Sequence, residues 1–203
     1  AAIVSSFTAG AASLDITLYK RETTTLTISD TSIDGTSPSL DVNSSVTGFT
    51  VAPSSTVQAA GAEFIVTATA IDDYQNVITD YAPEGKTFTL SGPANAPDGT
   101  SPDYPASPAI EAAFSDGEAD IPVTLYKAET AAVEFSDGLV SGTSPAVEVR
   151  TDAAFFTVTP PPGARTAGVV FQVDIVAKDP YENIDTDYDP YCMTFSFSGP
   201  GNS

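Results

Sequence analysis

The sequence predicts an all-β protein made of tandem sandwiches, and three observations carry that prediction. Apolar and polar side chains alternate at a period of two, Gly and Pro fall between the alternating runs, and the chain repeats itself every 107 residues. Phe49-Thr50-Val51-Ala52-Pro53 returns as Phe156-Thr157-Val158-Thr159-Pro160, and Asp72-Asp73-Tyr74-Gln75-Asn76 returns as Asp179-Pro180-Tyr181-Glu182-Asn183. The same offset relates Thr17-Leu18-Tyr19-Lys20 to Thr124-Leu125-Tyr126-Lys127, and Gly35-Thr36-Ser37-Pro38 to Gly142-Thr143-Ser144-Pro145. No gap is needed anywhere.

Taken in order through one repeat, the elements are short. A strand is expected near Phe49–Val51. In the next, Phe64, Val66, Ala68 and Ala70 alternate with Ile65, Thr67 and Thr69. Phe88 and Leu90 alternate with Thr87 and Thr89, and a short strand is expected near Ile110–Phe114. Ile121, Val123 and Leu125 share a face, as do Val133 with Phe135, and Val147 with Val149. Pro122 interrupts one of these runs, so that strand belongs at an edge or a bulge. About seven strands in ~100 residues is the size and strand number of an immunoglobulin-like sandwich.

The repeat frame divides the chain unequally. Residues 1–48 correspond to the second half of a repeat, 49–155 to a complete repeat, and 156–203 to the first half of another. Residues 97–107 have no second copy and the composition of a loop, so the chain equals two periods less one such loop. The half repeats are expected to expose unpaired strands and apolar positions, with Phe7, Leu18, Phe49, Phe156, Phe171 and Phe195 at the assembly edges. Residues 156–203 of one copy would then dock with 1–48 of the next, making the chain its own partner in a head-to-tail array. The competing readings are an excision from one continuous chain, or a flexible loop between the halves. The start at Ala1-Ala2-Ile3, without Met or a leader, is expected of a mature or excised piece.

Composition removes most chemistry. The 203 residues carry 27 Asp+Glu against 7 Lys+Arg, a formal charge of −20, with no His and a single Cys. Without His, the Ser-His-Asp and Cys-His nucleophile systems and His-ligated metal and haem sites are excluded. The negative field makes nucleic acid and anionic lipid poor partners and multivalent cations good ones. No apolar run approaches the ~20 residues of a membrane-spanning helix, so no membrane insertion is expected.

The run from Ala60-Gly61-Ala62-Glu63-Phe64 through Val66, Ala68, Ala70, Asp72 and Asn76 to Thr79-Asp80-Tyr81 resembles the pattern of tandem bacterial Ig-like, invasin-type repeats of large surface proteins. Gln75 and Glu182 stand where that pattern has Gly. The resemblance implies a non-catalytic extracellular or cell-surface module that spaces, stiffens or displays other domains: an adhesin stalk, fibre or filament. The alternative is a carbohydrate-binding or accessory module of an exported protein, with Tyr19, Tyr74, Tyr81, Tyr126, Tyr181 and Tyr188 as stacking surfaces.

The Asp-x-Tyr-x-Asn segment has two readings. In one, Asp72 and Asn76 tie down the chain after a strand by bonding nearby backbone amides. In the other, Asp72, Asp73, Asn76 and Asp80 in the first copy, with Asp179, Asn183 and Asp187 in the second, converge on Ca²⁺, which needs six to eight oxygen ligands. No other cofactor is called for. The cluster Glu182, Asp185, Asp187 and Asp189 near a junction invites the same two readings, solvated acids or a cation lock. Lys20 and Lys127, beside Glu22 and Glu129, read as surface ion pairs in preference to isopeptide donors. Cys192 is either an inert thiol or an intermolecular cross-link.

Overall fold

The computed structural model describes residues 7–191 and 193–199; Cys192, and with it either reading of its thiol, lies outside the described residues. Residues 7–48 hold β1 (Glu22–Thr24), β2 (Thr27–Ser29), β3 (Asp34–Thr36) and β4 (Leu40–Val42). The complete repeat holds β5 (Gly48–Pro53), β6 (Val57–Ala59), β7 (Glu63–Ile71), β8 (Thr89–Ser91), α1 (Ser107–Ala113), β9 (Glu118–Thr124), β10 (Thr130–Ala131), β11 (Glu134–Ser136), β12 (Ser141–Thr143) and β13 (Val147–Arg150). Last come β14 (Phe155–Thr159) and β15 (Asp174–Lys178). The structure keeps the sequence period: β2 and β3 recur 107 residues on as β11 and β12, and β4 recurs at the start of β13.

The complete repeat is an all-β, Ig-like sandwich. One layer is the antiparallel sheet β5-β7-β9, with β7 in the middle and Phe64 opposite Val123. Facing it are the antiparallel sheet β12-β11-β8 and the sheet β10-β13-β6, in which β13 and β6 run parallel. Alternation decides which face is buried. Along β7, Phe64, Val66, Ala68 and Ala70 point into the core, and Ile121 and Val123 of β9 and Val147 and Val149 of β13 meet them. Burying each large apolar side chain stabilises the fold by about 1.5–3 kcal/mol relative to leaving it exposed. An aromatic group closes one end of the core. The Phe49 ring meets Phe135 edge-on at 4.8 Å and Tyr81 at 5.5 Å, while Phe88 stacks on both Phe114 and Phe135.

Three expectations are corrected. The stretch at Ile110–Phe114 is not a strand: residues 107–113 form α1, started by Pro108 in its first turn and continued by Ala and Glu, with Ile110 buried. The complete repeat has nine strands where about seven are expected, because the second layer is cut into two- to four-residue pieces by Ser, Gly and Pro. Phe49 is not an assembly edge; it is 5% exposed and belongs to the core of the complete repeat. Pro122 lies where its missing N–H costs nothing, on the edge strand β9 with its side chain outward.

One polar network is buried in this core. The Asp137 side chain is wholly buried; one carboxylate oxygen accepts the Tyr81 hydroxyl at 2.7 Å and the Lys86 ammonium at 2.6 Å. The other oxygen accepts the backbone N–H groups of Leu139 and Val140, both at 2.9 Å. Burial pushes the carboxyl up, but the Lys86, Val140, Tyr81 and Leu139 hydrogen bonds outweigh it and hold it at about 2.

Candidate functional site: the junction between repeats

The recurring Asp-x-Tyr-x-Asn segment follows directly on β7 and, one period later, on β15. Asp72 folds it: Oδ1 accepts the N–H of Tyr74 at 2.8 Å and of Asn76 at 2.9 Å, and the Asp72 N–H closes on the Asn76 carbonyl at 3.1 Å. This fold needs a left-handed residue before the Asn. Gln75 and Glu182 supply it, each with φ 65°, so the turn survives without the Gly that the resemblance leads one to expect.

What the turn presents is the Asn amide. Asn76 Nδ2 donates to Asp72 Oδ2 at 2.8 Å and to the Tyr19 carbonyl at 2.6 Å, and Asn76 Oδ1 accepts the Arg21 N–H at 3.2 Å. Tyr19 and Arg21 belong to the preceding half repeat. The amide therefore clasps the neighbouring backbone through both of its ends, as a strand partner would. One period later the same contacts recur. Asn183 donates to Asp179 at 2.7 Å and to the Tyr126 carbonyl at 2.6 Å, and accepts the Ala128 N–H at 2.9 Å. Beside each clasp two tyrosines meet edge-on, Tyr19 with Tyr74 and Tyr126 with Tyr181, both at 4.8 Å between centroids.

Burial is deep for such polar groups. Asp72, Asp179 and Asn183 are at most 3% exposed, and their hydrogen bonds replace what water would have given. Desolvation raises the Asp72 carboxyl, yet the Asn76 side chain and the N–H groups of Asn76 and Tyr74 bring it down to about 2.

The two junctions differ at their rims. At the first, the Arg21 guanidinium reaches Thr79 at 3.2 Å and Asp80 at 2.6 Å; at the second the equivalent residue is Ala128. There the loop at 97–107 contributes instead, through the Asp98 N–H to the Tyr181 carbonyl at 3.3 Å. Tyr181 also lies so close over Gly61 that any side chain at that position would collide with its ring.

The candidate ligands are thus not brought together as an oxygen shell. Asp72 and Asp179 spend their oxygens on N–H donors, Asp73 is exposed, Asp80 pairs with Arg21, and Asp187 stands outside the clasp. Among the described residues no three His, Cys, Asp or Glu side chains are grouped as a metal would need. Lys20 and Lys127 form the expected ion pairs, with Glu22 at 2.5 Å and Glu129 at 2.8 Å. Phe7, Leu18, Phe156, Phe171 and Phe195 are all exposed to some extent, in the two half repeats. The sequence shows that Thr-Leu-Tyr-Lys and Asp-x-Tyr-x-Asn recur together; that one holds the other is missed, because the signal is a pair of backbone groups rather than side chains.

No family model matches the chain, and no curated protein sequence matches it. Solved structures similar to it include FdeC, described as a broadly conserved Escherichia coli adhesin, at 18% identity and a TM-score of 0.39, covering 73% of this chain and 46% of that one. Domains 4–9 of the surface layer protein SbsC are similar at 15% identity and a TM-score of 0.35, covering 81% of this chain and 25% of that one. Domains 5–6 of SbsC are similar at 16% identity and a TM-score of 0.32, covering 67% and 64%. The chain spans less than half the length of the first two.

Proposed function

We propose that the chain is a non-catalytic structural segment of an extracellular or cell-surface array, in which Ig-like sandwiches are clasped in line and half repeats complete one another head to tail. The location rests on the resemblance of residues 60–81 to bacterial surface repeats. The observation that carries the assembly is that every edge left open in one half repeat answers to a segment of the other. In the complete repeat β11 pairs with β8, β13 with β6, and β7 with β9. Residues 7–48 have β2 and β4 in the places of β11 and β13, and the counterparts of β8 and β6 are residues 196–198 and 164–166. In turn β15 stands in the place of β7, and the counterpart of β9 is residues 11–17.

Exposure follows the same rule. Ile16 is 51% exposed and Ile28 56%, where their counterparts Val123 and Phe135 are buried; Phe171 is 46% exposed where Phe64 is 6%. Glycine adds an independent mark. A side chain on Gly142 would collide with the Phe49 carbonyl, which explains Gly there; its counterpart Gly35 has only Ile28 Cγ2 near, at 3.9 Å. Gly35 is required only once a strand like β5 lies against it. The pairing rule is the same for a partner half further along a longer chain; for the 203-residue chain the partner is a second copy.

Sedimentation velocity at rising concentration tests the assembly. Species growing beyond 20.9 kDa are expected, with Gly35→Ala and Ile16→Asp each holding the chain at monomer while the complete repeat keeps its thermal transition. A wild-type chain that stays monomeric at every concentration overturns it.

A further inference from the structure

The buried Asp137 network is not copied intact into the half repeats. In residues 7–48 its counterpart is Asp30, and the turn is already formed: Asp30 Oδ1 accepts the N–H groups of Ser32 and Ile33, both at 2.9 Å. Thr31 even takes the left-handed conformation of Gly138, at φ 82° against 87°. Asp30 itself is exposed. In the other half repeat the counterpart of Tyr81 is Tyr188, but the counterpart of Lys86 is Met193.

Completing the sandwich therefore moves Asp30 from water to a site where the complete repeat buries its aspartate wholly, with one neutral hydroxyl donor and no cation. The charged groups at flanking positions are acids, which supply no replacement for the missing cation. Asp34 stands where the complete repeat has Ser141, and Asp189 where it has Ala82. An ionised carboxylate buried without its cation is strongly disfavoured, and proton uptake relieves the cost.

We infer that position 193 sets the strength and pH response of pairing between residues 7–48 of one copy and 156–199 of the next, so that the contact tightens in mild acid. This rests on the head-to-tail reading above. The sign is fixed by the direction of transfer. A carboxyl whose affinity for protons is greater in the paired state than in the free one strengthens pairing as pH falls through its paired value. One unit of difference is a tenfold change in the dissociation constant.

The dissociation constant measured by sedimentation at pH 7.5 and pH 5 tests this, on the wild type, Met193→Lys, Asp30→Asn and Thr159→Lys. The last adds the same charge on β14, at a position whose counterpart Ala52 is exposed. About tenfold tighter pairing at pH 5 is expected for the wild type. Met193→Lys should gain about tenfold at pH 7.5 and lose most of the pH response; Asp30→Asn should also lose it, and Thr159→Lys should keep it. Pairing of Met193→Lys equal to that of Thr159→Lys at both pH values overturns the inference while leaving head-to-tail assembly standing. No association of any variant at either pH overturns both. A fifth variant reads the lysine without any assembly: Lys86→Met should make the complete repeat melt lower at pH 7.5 than at pH 5, unlike the wild type. Equal melting of Lys86→Met at the two pH values also counts against the inference.

Discussion

The junction depends on the Asn amides more than on the acids around them. Asn183 holds Asp179, Tyr126 and Ala128 at once, so Asn183→Ala leaves a buried carboxylate and two backbone groups short of partners. Its cost is expected to be about 2–4 kcal/mol, read as a lower denaturant midpoint. Asn183→Asp should not rescue it at neutral pH, because an ionised carboxylate cannot donate to the Tyr126 carbonyl and would face the Asp179 carboxylate that Asn183 now donates to. The residue before each Asn makes an opposite prediction. Gln75 is held at φ 65°, a conformation that costs a residue with a Cβ about 1–2 kcal/mol. Part of that gain is returned as chain entropy, so Gln75→Gly should stabilise the chain by about 0.5–1 kcal/mol in chemical denaturation. At this scale the sequence shows which residues recur, and Asp72 and Asn76 are legible as turn formers. It does not show their catch, since Tyr19 and Arg21 lie 55 to 57 positions away and are held by backbone atoms that carry no residue-type signal.

Strands with one buried face are legible because alternation at period two is the imprint of that burial. The patterns of β5, β7, β9 and β13 follow it residue by residue. Helix α1 is misread because its apolar positions are few. Ile110 and Phe114 are four apart, which one turn of helix puts on the same side, but a seven-residue helix has too little length to display the period. The helix fills the end of the core, with Ile110 1% exposed. Ile110→Ala should therefore cost about 2–4 kcal/mol, whereas the same change at the half-exposed Ile175 of β15 should cost well under 1 kcal/mol in the chain alone. The parallel pairing of β6 with β13 is also invisible in the sequence. β6 is three residues long, and no local pattern names a partner so far along the chain.

For the whole molecule the 107-residue period matters more than any single motif. It places a complete sandwich between two halves, and the clasp repeats between them with the same donors and acceptors. A clasp made of amide and carboxylate hydrogen bonds needs no cation. Millimolar Ca²⁺ or a chelator is therefore expected to leave the thermal midpoint of the chain unchanged, whereas a rise of several degrees with Ca²⁺ would restore the metal reading of Asp72 and Asp179. The charge of −20 then acts over long range, as a repulsion between copies that salt should weaken.

Paired head to tail, the two half repeats are expected to make a sandwich in the register of the complete one. In that repeat Ile65 lies opposite Pro122, both directed away from the core's most buried face; their counterparts are Gln172 and Asp15. With Cys192 replaced by Ser, the variant Asp15→Cys, Gln172→Cys oxidised under mild conditions should give a ladder of multiples of 20.9 kDa on a non-reducing gel. Shifting one cysteine by a single position, to the other face of the strand, should abolish the ladder. Monomer alone from the matched pair, or equal ladders from matched and shifted pairs, would contradict head-to-tail completion in this register.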